Sequence, residues 1–173
     1  MPTDPADELV TVLDDAGRPS GVATRADVRR EKLYHGATAI LVRRTDGRIY
    51  VHRRTTTKDI YPGVYDCWAG GVLAAGETAD AGALRELAEE LGIRGATLLP
   101  VLTTEWSDDL VRAMYHVYTV TWDGPIVHQV EEVAWGDWWS PQLLAARLAD
   151  PDFPFVPDGR RLIELAGVLP AAV

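Results

Sequence analysis

Apolar and polar positions succeed one another along this chain in short blocks that predict a mixture of strands and helices. Residues 8–13 (ELVTVL) read as a short strand, the segment DDAGRPSG as a turn, and residues 21–24 as a strand pairing back in a hairpin. Residues 25–33 are charged and helical in character. A second block begins near His35. Residues 38–43 are apolar and β-branched, Thr45-Asp46-Gly47 carries the Asp-Gly hairpin signal, and residues 48–53 alternate, with Ile49 and Val51 on one face and Tyr50 and His52 on the other. After the polar loop TTTKDIYPG comes the short strand VYDCWAGG. Residues 78–91 give the clearest helix, with Ala81, Leu84, Leu87, Ala88 and Leu91 at helical spacing and Gly92 as its stop. Strands are expected at 97–105, 111–122 and 133–139, then a helix capped by Ser140 and running to Leu148, and a last helix over 159–167. Hairpins mixed with helices predict an α/β (α+β) fold, a mixed β-sheet sandwiched between helices rather than a purely parallel one. Residues 1–33 are expected to form an N-terminal hairpin and helix laid on a domain spanning 34–173.

Composition narrows the function classes. At 173 residues, with 47% hydrophobic and 25% charged, the chain has the makings of one packed domain with short additions. Its formal net charge of −9 repels nucleic acid and anionic membrane surfaces, so neither is an expected partner. A phosphate-bearing small molecule stays possible where a metal ion or local cations reverse the sign. The single cysteine, Cys67, allows no internal disulfide. Residues 1–8 lack the basic start and apolar run of a signal peptide, and no stretch approaches 18 apolar residues, so a cytoplasmic protein is expected.

The candidate chemistry lies on the helix at 78–91. Glu86, Glu89 and Glu90 stand at i, i+3 and i+4, a spacing that gathers three carboxylates on one side, with the leucines expected on the other. Taken alone, such glutamates read first as a solvated helix face. Held together, they repel one another, and a hard divalent cation, Mg²⁺ or Mn²⁺, offsets that repulsion while engaging substrate phosphates. Arg85 lies beside them, within reach of Glu77 or a neighbouring Glu.

The surrounding residues resemble the Nudix box. That pattern asks for Gly, five residues, Glu, seven residues, Arg-Glu, an aliphatic residue, any residue, Glu-Glu, any residue, Gly and an aliphatic residue. Gly71, Glu77, Arg85, Glu86, Leu87, Glu89, Glu90, Gly92 and Ile93 satisfy every specified position. The resemblance implies the Nudix fold, in which Glu86, Glu89 and Glu90 hold Mg²⁺ or Mn²⁺, Glu89 and Glu90 as core ligands, while Arg85 and Glu77 orient the loop and the carboxylates. It implies hydrolysis of a diphosphate linkage in a nucleoside diphosphate derivative or related small molecule. A homodimer is expected from family habit alone.

Further segments resemble the branch shared with isopentenyl-diphosphate isomerases: RRTTTKDIYPGVYD, the opening ELVTVLDDAGRPSG and FVPDG near Asp158. An isomerase is therefore one alternative. Against it, Gly70 stands where the isomerase cysteine is expected, Cys67 lies three residues earlier, Val72 replaces the following His, and the box is complete. A non-catalytic Nudix-fold binding protein is the other alternative, though such a protein is expected to lose a box carboxylate.

Among the cations near the hairpin (Arg43, Arg44, Arg53, Arg54, Lys58), Arg53 and Lys58 are the expected diphosphate contacts. Glu132, ahead of a strand, is a candidate additional metal ligand, with Glu105 and Asp108 as weaker ones. His35 has the best chance among the four histidines of touching a metal. Cys67 reads as a half-buried strand residue, and the six tryptophans as core or interface anchors.

Overall fold

The structure, a computed structural model, describes residues 5–169, so part of the 1–8 segment read for targeting and the end of the 34–173 region lie outside the described residues. The expected hairpin forms from β1 (Leu9–Leu13) and β2 (Pro19–Thr24), turned by Asp14, whose Oδ1 accepts from the amides of Ala16 and Arg18 at 2.9 Å each. Thr24 caps α1 (Arg25–Glu31) by accepting from the Asp27 amide, and the helix stops where Lys32 turns left-handed.

β3 (His35–Arg43) begins three residues before the β-branched run, through Gly36 and Ala37. Pairing overrides their weak strand propensity: β3 lies parallel to β8 (Arg112–Thr121) from His35↔Ala113 to Arg43↔Thr121, and its first eight residues are buried. β7 (Leu99–Ser107) pairs antiparallel with β8, and β4 (Ile49–Arg54) antiparallel with β9 (Val133–Trp139). Among the described residues these join a nine-stranded mixed sheet. Its two central strands, β3 and β4, pair only at Arg43↔Ile49. Beyond that point the single strand expected at VYDCWAGG is split: β5 (Tyr65–Asp66) pairs with β4, and β6 (Trp68–Ala69) pairs with β3. The gap between β3 and β4 is where the site forms.

Helices cover both faces because β3 alternates. Ala39 and Leu41 pack with Val117, Leu144, Leu162 and Ile163, which brings α3 (Pro141–Leu148) and α4 (Pro157–Ala166) onto one face. Ile40 and Val42 pack with Val120, Ala83, Leu87 and Leu91, placing α2 (Ala79–Leu91) on the other. Tyr50 and His52 are as buried as Ile49 and Val51, so β4 is covered on both faces despite its alternation.

The buried face of α2 differs from the expected one. Leu84 is 42% exposed and Ala81 is exposed, whereas Ala83, Leu87, Glu90 and Leu91 are buried. At about 100° per residue, Glu90 lies roughly 60° from Leu87. The carboxylates are therefore not all opposite the leucines: Glu90 shares the buried side.

The N-terminal segment extends the same sheet. Leu13 N–H donates to Tyr34 O at 2.7 Å and Val12 pairs with His35, while Ala75 N–H donates to Leu9 O at 2.7 Å, tying β1 to the loop ahead of α2. No helix among the described residues is long and apolar enough to cross a membrane.

Candidate active site

The loop before α2 is locked onto β3: Thr38 N–H donates to Gly71 O at 2.9 Å and Leu73 N–H to Gly36 O at 3.0 Å. Two glycines make this possible. Gly70 has φ +142°, and a Cβ there would stand 2.2 Å from the Thr38 carbonyl oxygen. A Cβ on Gly71 would stand 2.6 Å from Glu86 Oε1, so the Glu86 carboxyl rests against bare backbone.

Arg85 organises the box. Its Nε and Nη2 donate to Glu77 Oε1 and Oε2, both at 2.9 Å, in a two-pronged pair. Nη2 also donates to Val72 O at 3.2 Å, and Nη1 donates to Glu86 Oε1 at 2.7 Å and Glu89 Oε2 at 3.2 Å. Glu77 in turn accepts from the Ala74 amide at 3.0 Å, and hydrogen bonding from Arg85 holds its carboxyl below the usual carboxylate range. One guanidinium thus bonds both the loop and two of the three carboxylates.

The three carboxylates have different surroundings. The Glu86 side chain is 12% exposed and that of Glu89 51% exposed, while Glu90 is buried. Burial, and then the charge of Glu90, push Glu86 up to about 7. Burial also raises Glu90, opposed by Lys58 and by the Gly70 amide, which donates to Glu90 Oε2 at 3.1 Å. Two desolvated, mutually repelling carboxylates hold their negative charge reluctantly, and a nearby cation relieves both penalties.

These groups line one cavity of about 550 Å³. Lys58 reaches it from the loop after β4, its side chain only 10% exposed, and forms an ion pair with Glu132. Burial, and then the charge of Arg54, bring Lys58 down to about 8. Arg53 is elsewhere. It is exposed at the end of β4, donates to Gly63 O at 2.8 Å, and does not line the cavity. Successive strand residues point to opposite faces, so the next residue, Arg54, lines it instead. Arg54 Nε and Nη2 are held by the carbonyls of Tyr61 and Ile60 at 3.1 and 2.9 Å.

Two further cations, Arg25 and Arg29, line the cavity from α1. Their i, i+4 spacing was legible, but nothing in the sequence showed which way the helix would face. The lining also includes Asp66 and Trp68, which are buried, and Asp158 and Tyr115, which are partly buried; none of the four carried a catalytic pattern.

Other candidates are dispersed. His35 lines the cavity, buried; its Nδ1–H donates to Leu33 O at 2.8 Å, and burial brings it down to about 4, so it is neutral at pH 7. Glu105 pairs with Arg112 on the surface and Asp108 accepts from the Leu110 and Val111 amides; neither lines the cavity. Cys67 is buried more fully than expected, in the core, where desolvation pushes its thiol up.

Glu86, Glu89, Glu90 and Glu132 offer only carboxylate oxygens, the donors a hard divalent cation favours. Among the described residues no three His, Cys, Asp or Glu side chains converge tightly enough to enclose an ion. The fit to a cation therefore rests on donor chemistry and on the burial of Glu86 and Glu90, which Arg85, Lys58 and the Gly70 amide offset only in part.

Comparison with known proteins places this arrangement among relatives. The family model described as NUDIX domain matches residues 33–159. An uncharacterized Nudix hydrolase of Rhodococcus erythropolis is 46% identical, over 92% of this chain and 91% of its own. Another from Streptomyces coelicolor is 40% identical, over 89% and 85%. Among solved structures, a Deinococcus radiodurans protein gives a TM-score of 0.76 at 23% identity, covering 91% of this chain and 98% of that one. The NUDIX domain of Shewanella oneidensis NrtR, complexed with ADP ribose, gives 0.60 at 19% identity, over 84% and 97%.

Proposed function

The chain belongs to the Nudix hydrolase family, and from that premise we propose that it cleaves a diphosphate linkage in a nucleoside diphosphate derivative or related small molecule, using Mg²⁺ or Mn²⁺. The observation that carries this reading is the meeting of opposite charges in one cavity: Glu86, Glu89, Glu90 and Glu132 with Arg25, Arg29, Arg54 and Lys58. The ADP ribose held by the NrtR domain is a ligand of this class. A cavity of about 550 Å³ suits a molecule of that size.

In this reading Glu86, Glu89, Glu90 and Glu132 would hold the cation. When bound, it supplies neutralisation of phosphate charge and a water that ionises more readily. The chain's own residues do the rest. Arg85 keeps Glu86 and Glu89 oriented and stays protonated throughout, since its bonds to Glu77 and then the charge of Glu86 raise its proton affinity further. The Gly70 amide holds Glu90 in place. Lys58 and Arg54 take phosphate oxygens, with Lys58 exchanging Glu132 for substrate. Water oxygen bonds to one phosphorus and releases its proton to solvent as the bridging P–O bond breaks, and the leaving phosphate departs with its charge offset by these cations.

The isomerase alternative fares poorly on geometry. No side chain fits at Gly70, where the reacting cysteine would stand, because its Cβ would strike the Thr38 carbonyl. Cys67 is buried in the core with a thiol that resists ionisation.

The test is phosphate release from a panel of diphosphates with Mg²⁺ and then Mn²⁺, wild type against Glu90→Gln, with isopentenyl diphosphate isomerisation followed separately. Metal-dependent hydrolysis that collapses in Glu90→Gln supports the proposal. Isomer formation without hydrolysis would replace it with the isomerase, and silence in both assays with ligand-induced thermal stabilisation would replace it with a binding protein.

A further inference from the structure

Among the described residues, two that are not glycine hold a left-handed backbone: Lys32 at φ 50° and Tyr61 at φ 48°. Such a backbone is disfavoured for a residue with a side chain, and it persists where the surroundings over-determine it. Both side chains end on the same residue, Asp108. Lys32 Nζ donates to its carbonyl oxygen, and the Tyr61 hydroxyl donates to its Oδ2. Asp108 stands at the turn between β7 and β8, outside the cavity. Its Oδ1 accepts from the amides of Leu110 and Val111 at 2.8 Å each, and its own amide donates to Val111 O at 3.0 Å. The carboxyl is therefore fixed by its own turn and by the end of α1.

Tyr61 belongs to the loop that carries Lys58 into the cavity. That loop closes where Thr55 O accepts from the Gly63 amide at 3.0 Å, and Ile60 packs against Ala37, Val111 and Ala113. Cations of the cavity also hold it. Arg54 Nε and Nη2 donate to Tyr61 O and Ile60 O at 3.1 and 2.9 Å, and Arg29 Nε donates to Asp59 Oδ2 at 3.2 Å. Phosphate oxygens compete for both arginines, so a diphosphate in the cavity weakens these two ties. The bond from Tyr61 to Asp108 escapes that competition, because Asp108 does not line the cavity.

We propose that Asp108, acting through Tyr61, is the positioning residue of Lys58: it keeps the loop folded, with the Lys58 ammonium in the cavity, while substrate draws Arg54 and Arg29 away from the loop. The proposal rests on the reading above that Lys58 receives phosphate oxygens. The role differs from the metal ligation for which Asp108 was a candidate in the sequence. Lysine carries its charge on a flexible four-carbon stem, so the loop backbone must supply the placement that the side chain lacks. Released from Asp108, Tyr61 would relax toward an ordinary backbone conformation and take Lys58 with it.

The test is a double-mutant cycle read by calorimetry with Mg²⁺ and methylenediphosphonate, a diphosphate analogue whose bridging carbon resists hydrolysis. Tyr61→Phe deletes one hydroxyl and is expected to weaken binding about fivefold, the size of one lost hydrogen bond to a charged group, with the melting temperature and the binding stoichiometry unchanged. Lys58→Ala is expected to weaken binding at least as much. In the Lys58→Ala background, Tyr61→Phe should add almost nothing, because the two residues act as one unit. Asp108→Asn, which keeps Oδ1 for the turn, should reproduce Tyr61→Phe. A merely structural role would instead lower the stoichiometry or the melting temperature, or weaken binding equally in both backgrounds. Any of these results overturns the proposal, as does unchanged affinity in Tyr61→Phe or in Lys58→Ala. The hydrolase reading is judged separately, by phosphate release from the diphosphate panel. Hydrolysis without the coupling removes the positioning role alone, and the coupling without hydrolysis removes the hydrolase reading alone.

Discussion

At the scale of single residues, the cavity concentrates groups whose protonation differs between folded and unfolded chains. Asp66 rises from an ordinary value of 3.8 to about 7 on folding. Its folded pKa lies above its unfolded one, so the folded state holds a proton that the unfolded state has released. Its contribution is fully present below about pH 3.8 and is lost as pH rises through about 7. Asp66→Asn removes that dependence. The stability difference between variant and wild type should therefore shift in the variant's favour by about 1.4 kcal/mol per pH unit between pH 4 and 7. Denaturant titrations at several pH values check this, and parallel curves would show that Asp66 ionises normally. Gly70 offers a steric prediction. Gly70→Ala drives a methyl into the Thr38 carbonyl at a left-handed backbone position, and is expected to lower the melting temperature strongly and to disturb the amide that holds Glu90.

At the scale of the element, α2 separates periodicity from packing. Leu84 and Leu87 look equivalent in the sequence, yet Leu87 is fully buried and Leu84 is 42% exposed. Leu87→Ala should cost about 2–5 kcal/mol. Leu84→Ala should stay within about 0.5 kcal/mol. Chemical denaturation of the two variants distinguishes this rotation of the helix from the one expected from the leucine spacing, which would make both costly. The helix limits themselves were legible. Thr78 accepts from the Ala81 amide at 3.3 Å, Gly92 adopts φ 67°, and Ser140 with Pro141 opens α3 as its residue types demand. The rotation was not, because an amphipathic pattern does not say which of two adjacent glutamates a sheet will bury.

At the scale of the whole molecule, the N-terminal segment and the box region act on one cavity. β1 extends the sheet that carries β3 and is hydrogen-bonded to the loop ahead of α2, while α1 delivers Arg25 and Arg29 to the cavity that α2 lines with carboxylates. Arg29 is held by Asp59 at 3.2 Å, and its burial lowers its pKa. If phosphate oxygens are received there, Arg29→Ala should raise KM for a diphosphate substrate with little change in the melting temperature. Arg53→Ala, outside the cavity, should leave KM as it was. Steady-state kinetics on the two variants decides between Arg53 on the strand and Arg29 on the helix, and a KM shift in Arg53→Ala alone would restore the site expected from the sequence.

The sequence by itself determined what is local or carried by residue type. The hairpin at Asp46-Gly47, the caps of α2 and α3, the mixed character of the sheet and the whole box from Gly71 to Ile93 follow from spacing and side-chain chemistry. Only the tertiary structure decided which neighbour faces inward. Arg54 lines the cavity and Arg53 does not where β4 pairs with β5 and β9, with a shift in register against β9 between these two residues. Glu90 is buried and Glu89 is not because α2 docks through Leu87 and Leu91. Asp66 and Asp158, 92 residues apart in sequence, meet because β3 and β4 diverge after a single paired position and α4 closes the gap. These outcomes depend on contacts between distant segments, and a periodic pattern in one segment carries no record of the segment it will meet.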